Sequence, residues 1–216
     1  MNNTTKGVDR MNLIAIIILL PLVLFSVSAG IIMHTAPLLH SLIERHSRDP
    51  LNAHATLDYY YSYIASDTQE LPTIEGMSDA ELQHLRDVKN VWHGGLALTT
   101  RWTGLWTVLL ARAWRRRKLA SALEWGGLLT VTLMIASAIV PFNALWNTFH
   151  TITFPQGNWV FAYNAKIITL FPPEFFEAVV LRVALLTLFL GLVTYGISHL
   201  VRRAEKHPTT AHAQNV

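Results

Sequence analysis

Long apolar runs alternate with short charged ones along this 216-residue chain. Residues 12–33 open the pattern with Asn-Leu-Ile-Ala-Ile-Ile-Ile-Leu-Leu-Pro. As a helix this run is about 33 Å long, enough to cross a hydrocarbon core of about 30 Å. Ser28-Ala29-Gly30 is cleavage-like, but the run exceeds the roughly 7–15 residues of a signal-peptide core. A retained span is therefore expected, with Pro21 as its kink position. Further spans are expected over 92–113, which holds Arg101, over 126–148, which holds Pro141, and over 178–201. Residues 34–91 differ in kind, with nine acidic side chains against four Lys or Arg. Leu38, Leu39, Leu42 and Ile43 have helical spacing, and Ser78-Asp79-Ala80-Glu81 is a capping box that opens another helix. This segment, which also carries Tyr59-Tyr60-Tyr61-Ser62-Tyr63, is too long for a connector and reads as a folded, mainly helical cap. Residues 149–177 are aromatic, sparse in charge and broken by Pro155, Gly157, Pro172 and Pro173. Within them, 157–170 is open between extended and helical backbone.

Composition and charge add a topology. Half of the residues (51%) are hydrophobic and only 14% are charged, against about 25% charged in a soluble domain. The net charge of +3 comes from clustered bases, which is not a nucleic-acid signature. Those clusters fall in residues 1–11 (Lys6, Arg10), in and just before the loop 114–125 (Arg112 to Lys118), and in 202–216 (Arg202, Arg203, Lys206). The positive-inside rule makes these three segments cytoplasmic, so the cap and the aromatic loop are extracytoplasmic. The expected fold is a mainly α integral membrane protein, acting as a monomer: four transmembrane helices with a small, mostly helical extracytoplasmic cap. The polar tail 207–216 is expected to be disordered. With no cysteine, disulfides, thiolate metal sites and a thiol nucleophile are excluded.

Two histidines stand out as chemistry. At about 100° per residue, His84 falls between Val88 and Val91 on the apolar side of its helix, with Asp87 close enough to hydrogen-bond its ring. The plain alternative is a buried histidine satisfied by its neighbours. Asn143, Asn147 and His150 are spaced i, i+4, i+7 and form one polar stripe, expected to face the interior of the helix bundle. That stripe is either functional or interhelical glue. Arg182, about one turn inside the outer boundary, suits a phosphate or an ester carbonyl, against simple snorkelling to headgroups. Arg101 is expected to pair within the bundle. His34, His40, His46 and His54 recur at roughly helical intervals, more as a solvated face than a metal site. No phosphate loop, tight metal-ligand spacing or Gly-x-Ser-x-Gly elbow occurs, so no cofactor is expected.

These residues carry a resemblance. Glu81-Leu82-Gln83-His84-Leu85-Arg86-Asp87-Val88-Lys89 resembles the E-L-x-H-x-x-D-V-K segment of the bacterial lipoprotein intramolecular transacylase family (Lit). Phe149-His150, Phe154, Trp159-Val160-Phe161 and Phe171-Pro172-Pro173-Glu174-Phe175-Phe176 resemble its second signature. Leu85, Arg86 and the polar Thr151-Ile152-Thr153 depart from the pattern. The resemblance implies an enzyme whose partners are diacylglyceryl-modified lipoproteins and membrane lipids. It would move the sn-2 acyl chain from glycerol to the α-amine of the lipoprotein's own N-terminal cysteine, leaving the lyso form. It also implies His84 and His150 as the catalytic pair.

The residue types suit that reaction. The nucleophile is the substrate's α-amine, whose pKa of about 7.7–8.0 requires a proton acceptor, and imidazole is matched to it. Amine and ester share one molecule, which removes much of the entropy cost of meeting. His84 is assigned as the base because Asp87 stands to orient it. Lys89, Asn147 and Arg182 are the oxyanion or substrate contacts, while Phe149, Trp159, Phe161, Phe175 and Phe176 shape the interface and exclude water. Two rivals share the topology: a lipid hydrolase with a histidine-held metal, and a non-enzymatic helper or sensor.

Overall fold

A computed structural model describes residues 3–206, so the tail 207–216 lies outside the described residues. Among the described residues there are eight α-helices and no strand: α1 Asn3–Met33, α2 Ala36–His46, α3 Pro50–Ala65, α4 Asp79–Arg115, α5 Leu119–Ser137, α6 Phe142–Thr153, α7 Lys166–Leu170 and α8 Pro173–Lys206. Three of them contain segments long and apolar enough to cross a membrane: Arg10–Met33, Leu119–Ser137 and Pro173–Lys206. The segment 92–113 lies in α4 and is not among them. Its His, Thr and Arg residues dilute its apolar character. Arg101 is exposed there, and no ion partner is found for it among the described residues. The run expected over 126–148 is not one helix: α5 ends at Ser137, and Pro141, which cannot donate a backbone N–H, caps a new helix, α6.

The chain forms two compact units. The first comprises 1–28, 99–138 and 184–216. Its core joins Ile16, Leu109, Ala113 and Ala122, with Trp106 and Leu110 packed against them. Small residues set the spacing of its helices. A Cβ on Gly127 would lie 2.9 Å from the Gly191 carbonyl oxygen and 2.9 Å from the Tyr195 nitrogen, so α5 and α8 meet backbone to backbone. A Cβ on Gly126 would come within 2.6 Å of Leu20 on α1. Glu205 accepts from Leu119 N (3.1 Å) and Ala120 N (3.4 Å), closing the start of α5, and Arg202 pairs with Glu124.

The second unit comprises 29–98 and 139–183, and so unites the acidic cap with the aromatic loop. Leu39, Leu42, Ile43, Leu57, Leu85, Leu170 and Phe175 are buried in it. The tyrosine run is used as a set of ties. Tyr60 donates to Leu85 O (2.6 Å), Tyr63 to Glu70 O (2.9 Å) and Tyr61 to Met33 O, while Tyr59 accepts from Thr73 N (3.1 Å). The linker between α2 and α3 is fastened to α7 and to the loop before it. Arg48 N donates to Thr169 O, and its guanidinium reaches Tyr163 O and lies over the Tyr163 ring. Asp49 accepts from Lys166 at 2.9 Å.

The capping box at Ser78 does more than start α4. Glu81 is 4% exposed, and Oε2 accepts from Ser78 N (2.8 Å) and Ser78 Oγ (2.7 Å). Its other oxygen accepts from Ile167 N at 2.7 Å, so one carboxylate joins α4 to α7. Burial alone would raise the Glu81 pKa, but the bonds from Ile167 and Ser78 outweigh it and hold the acid below its ordinary value. Removing such a group leaves buried donors without partners. Glu81→Ala is expected to cost on the order of 1–3 kcal/mol, with Glu81→Gln intermediate, measured by thermal unfolding of the detergent-solubilised chain. An unchanged transition would contradict this role.

Candidate active site

The two histidines expected from sequence meet within the second unit. The His84 and His150 ring centroids are 6.1 Å apart, near parallel at 25°, and the residues are 7% and 4% exposed. His84 is delivered by the buried face of α4, where sequence periodicity puts it, and His150 by the last turn of α6. The stripe that carries His150 divides: Asn143 and Asn147 are exposed, and only the histidine is covered. The expectation that the whole stripe faces inward is not met, because the aromatic loop folds over the end of α6 alone.

Rings surround the pair. Phe154 (4.8 Å) and Phe161 (5.6 Å) stand edge-on to His84. Trp146 (4.1 Å), Trp159 (4.9 Å), Phe149 (5.1 Å) and Phe154 (5.5 Å) contact His150. Phe176 reaches Trp146 (5.0 Å), and Phe175 is buried against Phe171 and Phe176. Trp146 and Phe154 were outside the set of candidates read from sequence. Trp146, four residues before His150, shares its face of α6, and Phe154 follows the end of that helix as its C-cap, within the signature that carries the resemblance.

Asp87 differs from expectation. Its carboxylate accepts from Gln83 (3.1 Å), Gln156 (3.0 Å) and Asn158 (2.6 Å), while the buried Nδ1 of His84 has no hydrogen-bond partner. The Asp87 oxygens are turned to these amides, and neither of them bonds the His84 ring. The turn that brings Gln156 and Asn158 to Asp87 passes through Gly157 at φ +78°, a conformation that side chains disfavour, and Gly157 N bonds Phe154 O at 3.0 Å. Lys89 is also committed elsewhere. It is 2% exposed and donates to Ser66 O, Ser66 Oγ and Thr68 O at 2.8–3.2 Å, which uses all three of its N–H groups on the connection after α3. Arg182 donates to Ala178 O of its own helix.

His150 is the oriented histidine. Its Nδ1 lies 2.8 Å from Trp146 O, which can only accept, so the neutral ring carries its proton on Nδ1 and a lone pair on Nε2. Burial lowers the His150 pKa, with the Trp146 carbonyl acting against it. Burial, then the neighbouring His150, push His84 down to about 4, and the Asp87 charge only partly offsets this. At neutral pH the site therefore holds two uncharged imidazoles in an aromatic enclosure.

His40 and His54 stack at 4.5 Å and pair with Asp58 and Glu44. Among the described residues no three His, Asp or Glu side chains are grouped so as to hold a metal ion.

Comparison with known proteins gives the family. No curated protein sequence matches individually. The fold is that of the membrane-integral lipoprotein intramolecular transacylase Lit from Bacillus cereus, with a TM-score of 0.82 at 17% identity over 93% of this chain and 99% of that one. Two structures of the same Bacillus protein with one histidine replaced, by alanine and by arginine, align with TM-scores of 0.78 at 18% identity. They cover 94% and 95% of this chain and 97% of theirs. The model of the family described as lipoprotein intramolecular transacylase Lit matches residues 12–176, which include both histidines and their aromatic surround, and this chain belongs to that family.

Proposed function

We propose that this protein moves the sn-2 acyl chain of an S-diacylglyceryl N-terminal cysteine to the α-amine of the same cysteine, by acid–base catalysis at His84 and His150. The observation that carries the reading is the pair of buried, uncharged imidazoles 6.1 Å apart in an aromatic enclosure. An O-to-N acyl transfer needs a proton taken from the attacking ammonium and one returned to the departing glycerol oxygen. It needs no protein nucleophile. The α-ammonium first gives one proton up to solvent; the amine nitrogen then attacks the ester carbonyl, and the base carries its second proton to the glycerol oxygen as the ester C–O bond breaks and the amide is left.

The hydrogen bonds favour His150 as the base, reversing the assignment drawn from Asp87. Its Nδ1–H is held by Trp146 O, which leaves Nε2 as the acceptor. His84, kept neutral by burial, then serves as an N–H donor to the oxyanion, stronger in a dry site than in water. Asn147, exposed three residues before His150, and Arg182 on α8 are the remaining donors for the ester or the polar part of the substrate. The aromatic side chains, including Trp159, Phe161, Phe149, Phe175 and Phe176, keep out the water that would divert the acyl group to hydrolysis. In the proposed topology α4 supplies the fourth crossing, 34–91 and 149–177 face the outside of a bacterial cytoplasmic membrane, and both ends of the chain are cytoplasmic.

Expression in a bacterium that makes diacylated lipoproteins tests the reading by mass spectrometry of N-terminal lipopeptides. N-acylated, S-monoacylglyceryl peptides are expected, and persistent diacylglyceryl peptides with a free amine would contradict it. His150→Ala and His84→Ala are each expected to lower conversion at least 100-fold, in line with the loss of a general acid or base. Full activity in either variant removes that residue from the mechanism.

The pH profile is a second test. A depressed histidine pKa keeps the ring neutral further into acid. kcat/KM should therefore rise with pH through the amine pKa of about 8 as the free nucleophile forms, with a histidine break only below pH 6.5. A second break between pH 6.5 and the amine limb would show a histidine stabilised in its charged form and would contradict the enclosure described.

A further inference from the structure

The second unit contains a concave site distinct from the histidine pair. It measures about 560 Å³ and is lined by Asn52, Ala55, Thr56, Tyr59, Thr73 and Glu75 among others, with Lys166 at one edge. The volume is that of a ligand site. Its chemistry contrasts with that of the histidine enclosure. Around the two imidazoles lie Trp and Phe rings, which offer no partners to a peptide backbone. Each residue of a bound polypeptide brings an N–H and a C=O that must be satisfied. The groove offers hydroxyl, amide and carboxylate groups for that purpose. Asn52 donates to Asp49 and keeps its side-chain oxygen for another donor, and the Glu75 carboxylate is exposed.

The two sites are close along the fold. His84 stands one helical turn, about 5 Å, beyond Glu81. Glu81 accepts from Ile167 N at 2.7 Å, and the adjacent Lys166 lines the groove. One helical turn, the length of the Glu81 side chain and one residue of α7 together put Lys166 on the order of 15 Å from His84, a separation that roughly four to six extended residues at about 3.3 Å each would span. The substrate of the proposed reaction has two parts of opposite character, a lipid-bearing cysteine and the polypeptide that follows it.

We infer that the groove between α3 and the 73–76 segment binds the polypeptide of the lipoprotein substrate, about four to six residues after the lipidated cysteine, through backbone hydrogen bonds. The inference rests on the transacylase reading. Recognition of backbone rather than side chains lets the groove accept lipoproteins of differing sequence.

The test uses the full chain in lipid nanodiscs with diacylglyceryl-cysteine lipopeptides of two and ten residues. Ala55 is exposed on α3, so Ala55→Trp fills the groove without entering the core. The variant is expected to raise KM for the ten-residue lipopeptide about tenfold, with its kcat and both constants for the two-residue lipopeptide unchanged. Equal effects on both lipopeptides, or none on the longer, overturn the inference. A benzophenone placed at the fifth residue of the longer lipopeptide gives a readout independent of turnover. Cross-links to 52–59 or 73–76 support the groove, and cross-links confined elsewhere overturn it. If wild-type protein acylates neither lipopeptide but cross-links in the groove, the transacylase reading fails and the binding assignment stands.

Discussion

Two carboxylates on α4, three residues either side of His84, hold the second unit in register. Glu81 grips the start of α7 through Ile167 N, and Asp87 grips Gln156 and Asn158 in the turn after α6. Between those two anchor points runs the aromatic stretch that carries Trp159 and Phe161 over the histidines. Hydrogen bonds to ionised acceptors are stronger than neutral ones, and a buried donor left unpaired is costly. The loop is thus held by interactions that fail together if α4 moves. His84 stands at the midpoint between the anchors, so its position relative to His150 is fixed by the same contacts.

That arrangement explains the electrostatics of the site. Asp87 turns its oxygens to the loop amides, so neither imidazole gains a carboxylate hydrogen bond, and the Asp87 charge only partly offsets the effect of burial on His84. Burial then dominates and both rings stay neutral. The proposed transfer, which passes a proton from the attacking amine to the departing glycerol oxygen, is served by a base that is free at neutral pH. An aromatic wall also keeps the dielectric low, which strengthens each hydrogen bond made to developing charge.

Much of this is legible in the sequence, and the gaps have physical causes. His84 could be placed on a buried face because helical periodicity needs only its neighbours in the chain. The capping box at Ser78 was visible for the same reason, but the second bond of Glu81 was not, since Ile167 lies 86 residues away. Asp87 was paired with the wrong partner because spacing of three residues on one helix favours a local contact. Amides from a distant turn compete for the same oxygens and win. Lys89 has the composition of a catalytic group, and only the fold shows its ammonium enclosed by Ser66 and Thr68. The helix break before α6 follows from Pro141, yet a proline inside an apolar run is equally compatible with a kinked single helix.

The proposed chemistry needs His150 as a neutral base with its proton on Nδ1, next to a neutral His84. Nitrogen-15 NMR of the histidine-labelled protein tests it directly, with the two rings assigned by difference from His84→Gln and His150→Gln. At pH 7 no imidazolium is expected at either position and, for His150, a protonated Nδ1 with an unprotonated Nε2. An imidazolium signal at pH 7 from either ring, or an Nε2–H tautomer at His150, would contradict it.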